Sequence, residues 1–242
     1  MNSMVSEQLE GVLLVDKPSG VLSSNVVNFV KKLVKPNKVG HGGTLDKFAS
    51  GLLIVMVGKA TKLFDVIRGV TKSYIAKVKF GEVRATDDVY GAVISKVENF
   101  NLTYDMVKNA LDDFKGEVLQ VPPAFSAVHV GGKRAYEIAK KDYYRALKSL
   151  SPRRVYIYEI KLLDFTGDSA IIFVECSGGT YIRSIARDLG QILQVGGYLE
   201  NLRRVGIGKI RVEQAIKFED LRKETNIKSL LLPKEKFLKM LG

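Results

Sequence analysis

Residues 39–53 read VGHGGTLDKFASGLL. Gly40, Gly42, Gly43 and Thr44 crowd into the few positions before Asp46, with His41 among them. The sequence that follows, residues 51–58 (GLLIVMVG), is an unbroken apolar run and reads as a buried strand. The sequence that precedes it places Val26, Val27, Val30, Leu33 and Val34 on one helical face and then meets Pro36. Ser23 or Ser24 is the expected cap of that helix. The quoted stretch is therefore a glycine-rich link between a helix and a buried strand. Such a link lets a backbone or a ligand approach closely and can hold a side chain in an open cleft. On spacing alone the simpler reading is a tight turn, because Asp beside glycine is a common turn former.

The rest of the chain extends this pattern. Residues 11–16 (GVLLVD) read as a buried strand running into a turn at Lys17-Pro18-Ser19-Gly20. Ala60, Leu63, Phe64 and Ile67 recur at helical spacing, with Gly69 as the expected C-cap. Tyr74, Ala76, Val78 and Phe80 alternate with Lys77 and Lys79, the mark of a half-buried strand. Residues 92–97 read as another strand. Residues 103–114 read as an amphipathic helix through Met106, Val107, Ala110, Leu111 and Phe114. Residues 155–163 and 170–175 alternate as a pair of strands. The clearest helix is 180–193, with Ile182, Ile185, Ala186, Leu189, Ile192 and Leu193 as its core stripe. Arg183 and Arg187 lie four apart on another face, where a solvated surface is the ordinary expectation for Arg187. The remainder reads as short helical pieces. Strands and helices mix without strict βαβ alternation, which points to an α+β fold with a mixed or antiparallel central sheet flanked by helices.

Composition narrows the partners. The chain has 242 residues, and 38 Lys and Arg against 26 Asp and Glu give a net charge of +12. A polyanion suits that balance, either nucleic acid or an anionic surface. Hydrophobic residues make up 46%, enough for a packed core rather than a disordered chain. The single cysteine, Cys176, excludes an internal disulfide framework, and two histidines leave little for a metal site. No apolar run is long enough to span a bilayer. The first ten residues are polar and acidic without a basic-then-apolar signal, so a cytoplasmic protein with no membrane partner is expected. Gly51 and Gly58 have the wrong spacing for a phosphate loop, and Arg211 stands where a dinucleotide fingerprint needs its third glycine. Neither H-E-x-x-H nor C-x-x-C occurs, so no metal or cofactor is expected.

GHGGTLD followed by SGLL resembles the catalytic motif of the TruB family, the tRNA pseudouridine-55 synthases. Other segments resemble the family in the same order. They are Lys17-Pro18-Ser19-Gly20, Lys72-Ser73-Tyr74, the VPPAFSA stretch at 121–127, GKRAY at 132–136, GTYIRS at 179–184 and Leu202-Arg203-Arg204. Together they run from about residue 11 to 210, and their joint occurrence in order is highly specific.

The resemblance implies an isomerase that converts the T-loop uridine of tRNA, position 55, to pseudouridine. No group is donated and nothing is oxidised, which agrees with the missing cofactor motifs. Asp46 stands in the place of the family's essential carboxylate. It can add to the sugar or the base, or assist elimination to a glycal. Arg183 holds the place of the arginine that favours the ionised carboxylate and fixes its orientation. Tyr74 is implied to stack on the extracted uracil. Tyr181 and Leu202 stand at positions that line the base pocket, Lys17 belongs to the substrate-binding set, and His41 is implied to contact the RNA loop.

Residues 131–154 carry eight Lys or Arg against Glu137 and Asp142, a net +6 and half the charge of the chain. Tyr136, Tyr143 and Tyr144 stand among these charges. The segment overlaps the family's mobile thumb insertion, here 124–154, which implies phosphate contacts by Lys133 and Arg134. Lys47 departs from the family, many members having Pro directly after the catalytic Asp. Many members also continue into a C-terminal RNA-binding PUA domain, for which residues up to 242 leave no room. A single monomeric catalytic domain over 1–242, acting on the tRNA T arm, is therefore expected. The rival is a non-catalytic RNA-binding or RNA-chaperone protein, against which Asp46, Tyr74 and Arg183 together argue.

Overall fold

The structure, a computed structural model, describes residues 9–224 and 226–242. Most of the polar N-terminal stretch therefore lies outside the described residues. The chain opens with β1 (Gly11–Lys17), α1 (Ser23–Leu33), β2 (Val39–His41) and β3 (Ser50–Val57). A 3-10 turn (Gly58–Leu63) leads into α2 (Phe64–Gly69). Next come β4 (Lys72–Phe80), β5 (Glu82–Arg84), β6 (Val93–Lys96), α3 (Tyr104–Asp112) and β7 (Gly116–Gln120). The basic segment forms β8 (His129–Val130), β9 (Lys133–Arg134), α4 (Ala135–Ala139) and α5 (Tyr143–Ser149). The chain continues through β10 (Arg153–Phe165), β11 (Ser169–Cys176), α6 (Ile182–Ile192) and β12 (Gly197–Ile207). It ends with β13 (Ile210–Arg211), β14 (Ile216–Lys217), α7 (Phe218–Leu221) and α8 (Lys234–Leu241).

These elements fall into two compact units, Met1–Ser73 with Arg203–Gly242, and Tyr74–Leu202. In the first, the strand order is β14-β1-β3-β12, with β2 also on β3 and β13 on β12. β1 and β3 are antiparallel from Gly11 opposite Val57 to Lys17 opposite Gly51. Residues 12–15 of β1 and 52–57 of β3 are continuously apolar because both faces of the pair are covered. Val12, Leu14, Leu52, Ile54 and Met56 point one way, onto Leu63, Ile67, Phe237 and Leu241. Leu13, Val15, Leu53, Val55 and Val57 point the other way, onto Val26 and Val30 of α1 and Phe218 and Leu221 of α7. Each fully enclosed aliphatic side chain contributes roughly 1.5–3 kcal/mol by leaving water. β3 and β12 run parallel, with Ser50 beside Arg203 and Gly51 beside Arg204. Gly51 has φ +106°, and a Cβ there would lie 2.3 Å from the Arg204 carbonyl oxygen, so glycine permits this close approach.

In the second unit the order is β12-β4-β11-β10-β7. β4 alternates as its sequence requires, with Tyr74, Ala76, Val78 and Phe80 buried. β10 and β11 are antiparallel, and α3 packs on β10 and α6. Parallel and antiparallel pairs coexist, so the central sheet is mixed and flanked by helices, as expected. No helix of the described residues is long and apolar enough to cross a membrane.

Several local expectations are corrected. Residues 197–207 form an eleven-residue strand, not short helical pieces. Leu33, Met106 and Ile192, read as core, are exposed because they lie at the margins of their helices' narrow buried stripes. α6 starts at Ile182 rather than 180. α1 has no side-chain cap: Ser23 is its first helical residue, and its hydroxyl is used elsewhere.

Candidate active-site residues

The segment after His41 is tied down almost carbonyl by carbonyl. Ser23 and Leu45 exchange two hydrogen bonds: the Ser23 hydroxyl donates to the Leu45 carbonyl at 2.8 Å and accepts from its amide at 2.9 Å. The Asp46 carbonyl accepts from the Ala49 amide at 3.1 Å, and the Lys47 carbonyl from the Gly20 amide at 2.8 Å. Ser19 Oγ donates to the Phe48 carbonyl at 2.7 Å, and Lys17 Nζ to the Ala49 carbonyl at 2.5 Å. The Lys17-Pro18-Ser19-Gly20 turn is thus a clamp on the Asp46 loop, which gives the two motifs one physical purpose. A side chain on so fully bonded a loop is held in place before substrate arrives.

Three cationic or cation-capable groups stand with Asp46 in this unit. Lys17 is fully enclosed, and its ammonium also donates to the Pro18 and Val21 carbonyls. Lys17 is lowered to about 8, chiefly by burial, with the Asp46 charge opposing that shift and the Arg204 charge adding to it. His41 Nδ1 accepts from the Gly43 amide at 3.3 Å. Burial, then the Arg204 charge, holds its imidazole below the ordinary value. Arg204 is buried and donates to the Leu52 carbonyl at 2.7 Å and the Gly43 carbonyl at 3.0 Å.

The second unit has its own constellation. Arg183 of α6 is buried, and its Nη1 donates to the Thr86 carbonyl at 2.9 Å and the Phe125 carbonyl at 3.3 Å. It also lies 3.7 Å from Asp88 Oδ2. Arg187, one turn on, is not on a solvated face. Its Nη1 pairs with Asp87 Oδ2 at 3.0 Å, its Nε with Asp188 at 2.8 Å, and its Nη2 donates to the Val121 carbonyl at 2.8 Å. Burial pushes the Asp87 carboxyl up to about 6, against the pull of Arg187 and then Arg183. Tyr181 and Gln120 exchange two hydrogen bonds, at 2.8 and 3.1 Å. Tyr74 and Leu202 are both buried, at the first and last positions of this unit.

The basic segment builds a β8–β9 hairpin followed by α4 and α5. Ala124, Ala139 and Ala146 form its small core with Phe125, Ile138 and Tyr143. Lys133, Arg134, Lys140, Lys141, Arg145 and Lys148 are all exposed, a cationic surface open to a polyanion.

Of the residues expected from sequence, Lys17, His41 and Asp46 come together in the first unit. Arg183 and Tyr181 lie on and just before α6 in the second, where Lys133 and Arg134 occupy the hairpin. Arg204 and the Asp87–Arg187 pair were not singled out by sequence reasoning. The Leu202-Arg203-Arg204 motif carried the only signal for Arg204, and nothing in residues 86–88 advertises a buried partner for a helix.

Residues 31–182 match the family model described as TruB family pseudouridylate synthase, N-terminal domain, and residues 183–239 match tRNA pseudouridylate synthase B C-terminal domain. The chain is similar to tRNA pseudouridine synthase B of Aquifex aeolicus (strain VF5), 41% identical over 227 residues, covering 93% of this chain and 78% of that one. It is also similar to tRNA pseudouridine synthase B of Endomicrobium trichonymphae, 37% identical over 225 residues, covering 93% and 96%. Among solved structures, a Cbf5-Nop10-Gar1 complex matches with a TM-score of 0.72 at 29% identity, covering 95% of this chain and 62% of that one. An H/ACA RNP bound to a substrate RNA containing 2'-deoxyuridine matches with a TM-score of 0.70 at 26% identity, covering 95% and 61%. This chain therefore spans about six tenths of the length of those two structural neighbours.

Proposed function

Because the chain belongs to the TruB family of pseudouridylate synthases and is an isomerase acting on tRNA, we propose that its target is the T-loop uridine at position 55 and that Asp46 is its essential carboxylate. Pseudouridine formation breaks the N1–C1′ bond, turns the uracil and joins C5 to C1′. The C5 hydrogen leaves as a proton and N1 takes one up, so the formula is unchanged and no co-reactant is consumed.

A carboxylate serves this reaction by addition or by assisting elimination, and either role needs it fixed relative to the nucleoside. The observation that carries the proposal is the bonding of residues 43–49, which leaves Asp46 on a rigid loop beside the Lys17 ammonium. Tyr74 and Arg183 are proposed as the further catalytic residues, with Tyr74 stacking on the uracil. His41, Tyr181 and Leu202 are proposed to contact the RNA, and Lys133 and Arg134 to meet T-arm phosphates. Extracting a loop base costs less than opening a duplex, which favours a T-loop target.

The test is position mapping on a full tRNA transcript and on one with cytidine in place of uridine 55. One pseudouridine at position 55 in the first and none in the second is expected. Pseudouridine elsewhere, or an equal yield from both, contradicts the T-loop assignment.

A further inference from the structure

Arg204 has no part in the roles assigned above. We propose that it is a positioning residue: its guanidinium holds Gly43 directly at the carbonyl and, through His41, at the amide, and thereby sets the loop that carries Asp46. This rests on Asp46 being the catalytic carboxylate.

The geometry is direct at the carbonyl end. Arg204 is 2% exposed, on β12. Its Nε donates to the carbonyl of Leu52 on β3, and its Nη2 donates to the carbonyl of Gly43 in the loop. One planar, rigid fork thus ties the loop to the strand that follows it. The Arg204 main chain is itself held, because β12 approaches β3 at Gly51 too closely for any side chain there. Gly43 suits the clamp through its backbone, φ +133°, which residues with a side chain rarely adopt.

At the amide end the effect passes through His41. The Gly43 amide donates to His41 Nδ1. Nδ1 accepts only when it carries no proton, which in the neutral ring puts the proton on Nε2. Burial first, and then the nearby Arg204 charge, disfavours the imidazolium, so the acceptor is preserved. A ring protonated on both nitrogens would release the Gly43 amide. Asp46 lies three residues along from Gly43, the residue so held. Among the described residues, the other ties, from Ser23, Ser19, Gly20 and Lys17, act at Leu45 and beyond, whereas those on Gly43 come from Arg204 and His41.

The experiment compares wild type, Arg204→Gln, Arg204→Lys and Asp46→Asn in the full chain. Rates come from release of C5 tritium from tRNA, and folding from thermal melts. Proton NMR follows the His41 titration in a His129→Gln background, which leaves a single imidazole. Arg204→Gln is expected to lower kcat about a hundredfold with little change in KM, the cost of a small misplacement of a reacting group. It also raises the His41 titration. Arg204→Lys keeps the charge, so the His41 titration stays low and the loss in kcat is smaller. Wild-type kcat in Arg204→Gln overturns the proposal, as does a His41 titration that both substitutions move alike. Should Arg204→Gln fail to fold, Arg204→Lys decides: a lowered kcat with unchanged KM and His41 titration supports the proposal, and an unchanged kcat overturns it. Asp46→Asn separates the two levels. If it is inactive while Arg204→Gln is unimpaired, only the Arg204 assignment falls; if it is active, both fall.

Discussion

Asp87 and Arg187, a hundred residues apart in sequence, form an ion pair of 3.0 Å with both groups largely withdrawn from water. Asp87 holds it from a left-handed backbone, φ 57°, and its Oδ1 has no hydrogen-bond partner among the described residues. Desolvation therefore outweighs the arginine, and the carboxyl sits at about 6 rather than 3.8. The sign follows from proton binding. Between about pH 4 and 6 the folded chain keeps a proton on Asp87 that the unfolded chain has lost. The stability contributed by this group therefore falls as pH rises through that window, by roughly 3 kcal/mol, and is flat above it. Melting wild type and Asp87→Asn in parallel isolates the effect from other carboxylates. Wild type should gain on the variant as pH drops from 7 to 5. A difference that does not change with pH contradicts the assignment.

Lys17 offers a test of the clamp. Lys17→Met keeps the volume and removes the donor, leaving the Pro18, Val21 and Ala49 carbonyls without it. An unsatisfied buried polar group costs about 1–3 kcal/mol. Urea unfolding should show a loss of at least that size with an unchanged m-value, and tritium release should slow beyond the loss of folded protein. Wild-type stability in Lys17→Met would mean that the carbonyls find other donors and the clamp is dispensable.

Much of this arrangement is legible along the chain, and the remainder is not for identifiable reasons. β1, β3 and β4 show plainly because burial on two faces or one writes itself as a run or an alternation. β12 does not, since GYLENLRRVGI buries Tyr198 and Leu199 in succession and Arg204 among them, so neither period appears. The motifs at 17–20 and 40–46 stand out, but their bonding does not, because Lys17 meets Ala49 across 32 residues. Arg187 looks like any surface arginine until Asp87, buried in a loop, is brought against it. Leu33, Met106 and Ile192 have the right spacing for a core stripe but lie at its margins and stay 41–46% exposed.

The exposed cations of the basic segment make a prediction in salt. Lys133→Gln with Arg134→Gln removes two charges from β9, whose backbone remains bonded to β8. tRNA affinity should weaken, and the slope of log K against log salt should become shallower by about 1–2. An unchanged slope would place the phosphate contacts elsewhere.

The most direct measurement is tritium release from tRNA labelled at C5 of uridine, with wild type and Asp46→Asn compared at equal folded concentration and equal RNA binding. Wild type should release tritium from the T-loop uridine, and Asp46→Asn should stay at the enzyme-free background. Release by Asp46→Asn at the wild-type rate would contradict the role given to this carboxylate.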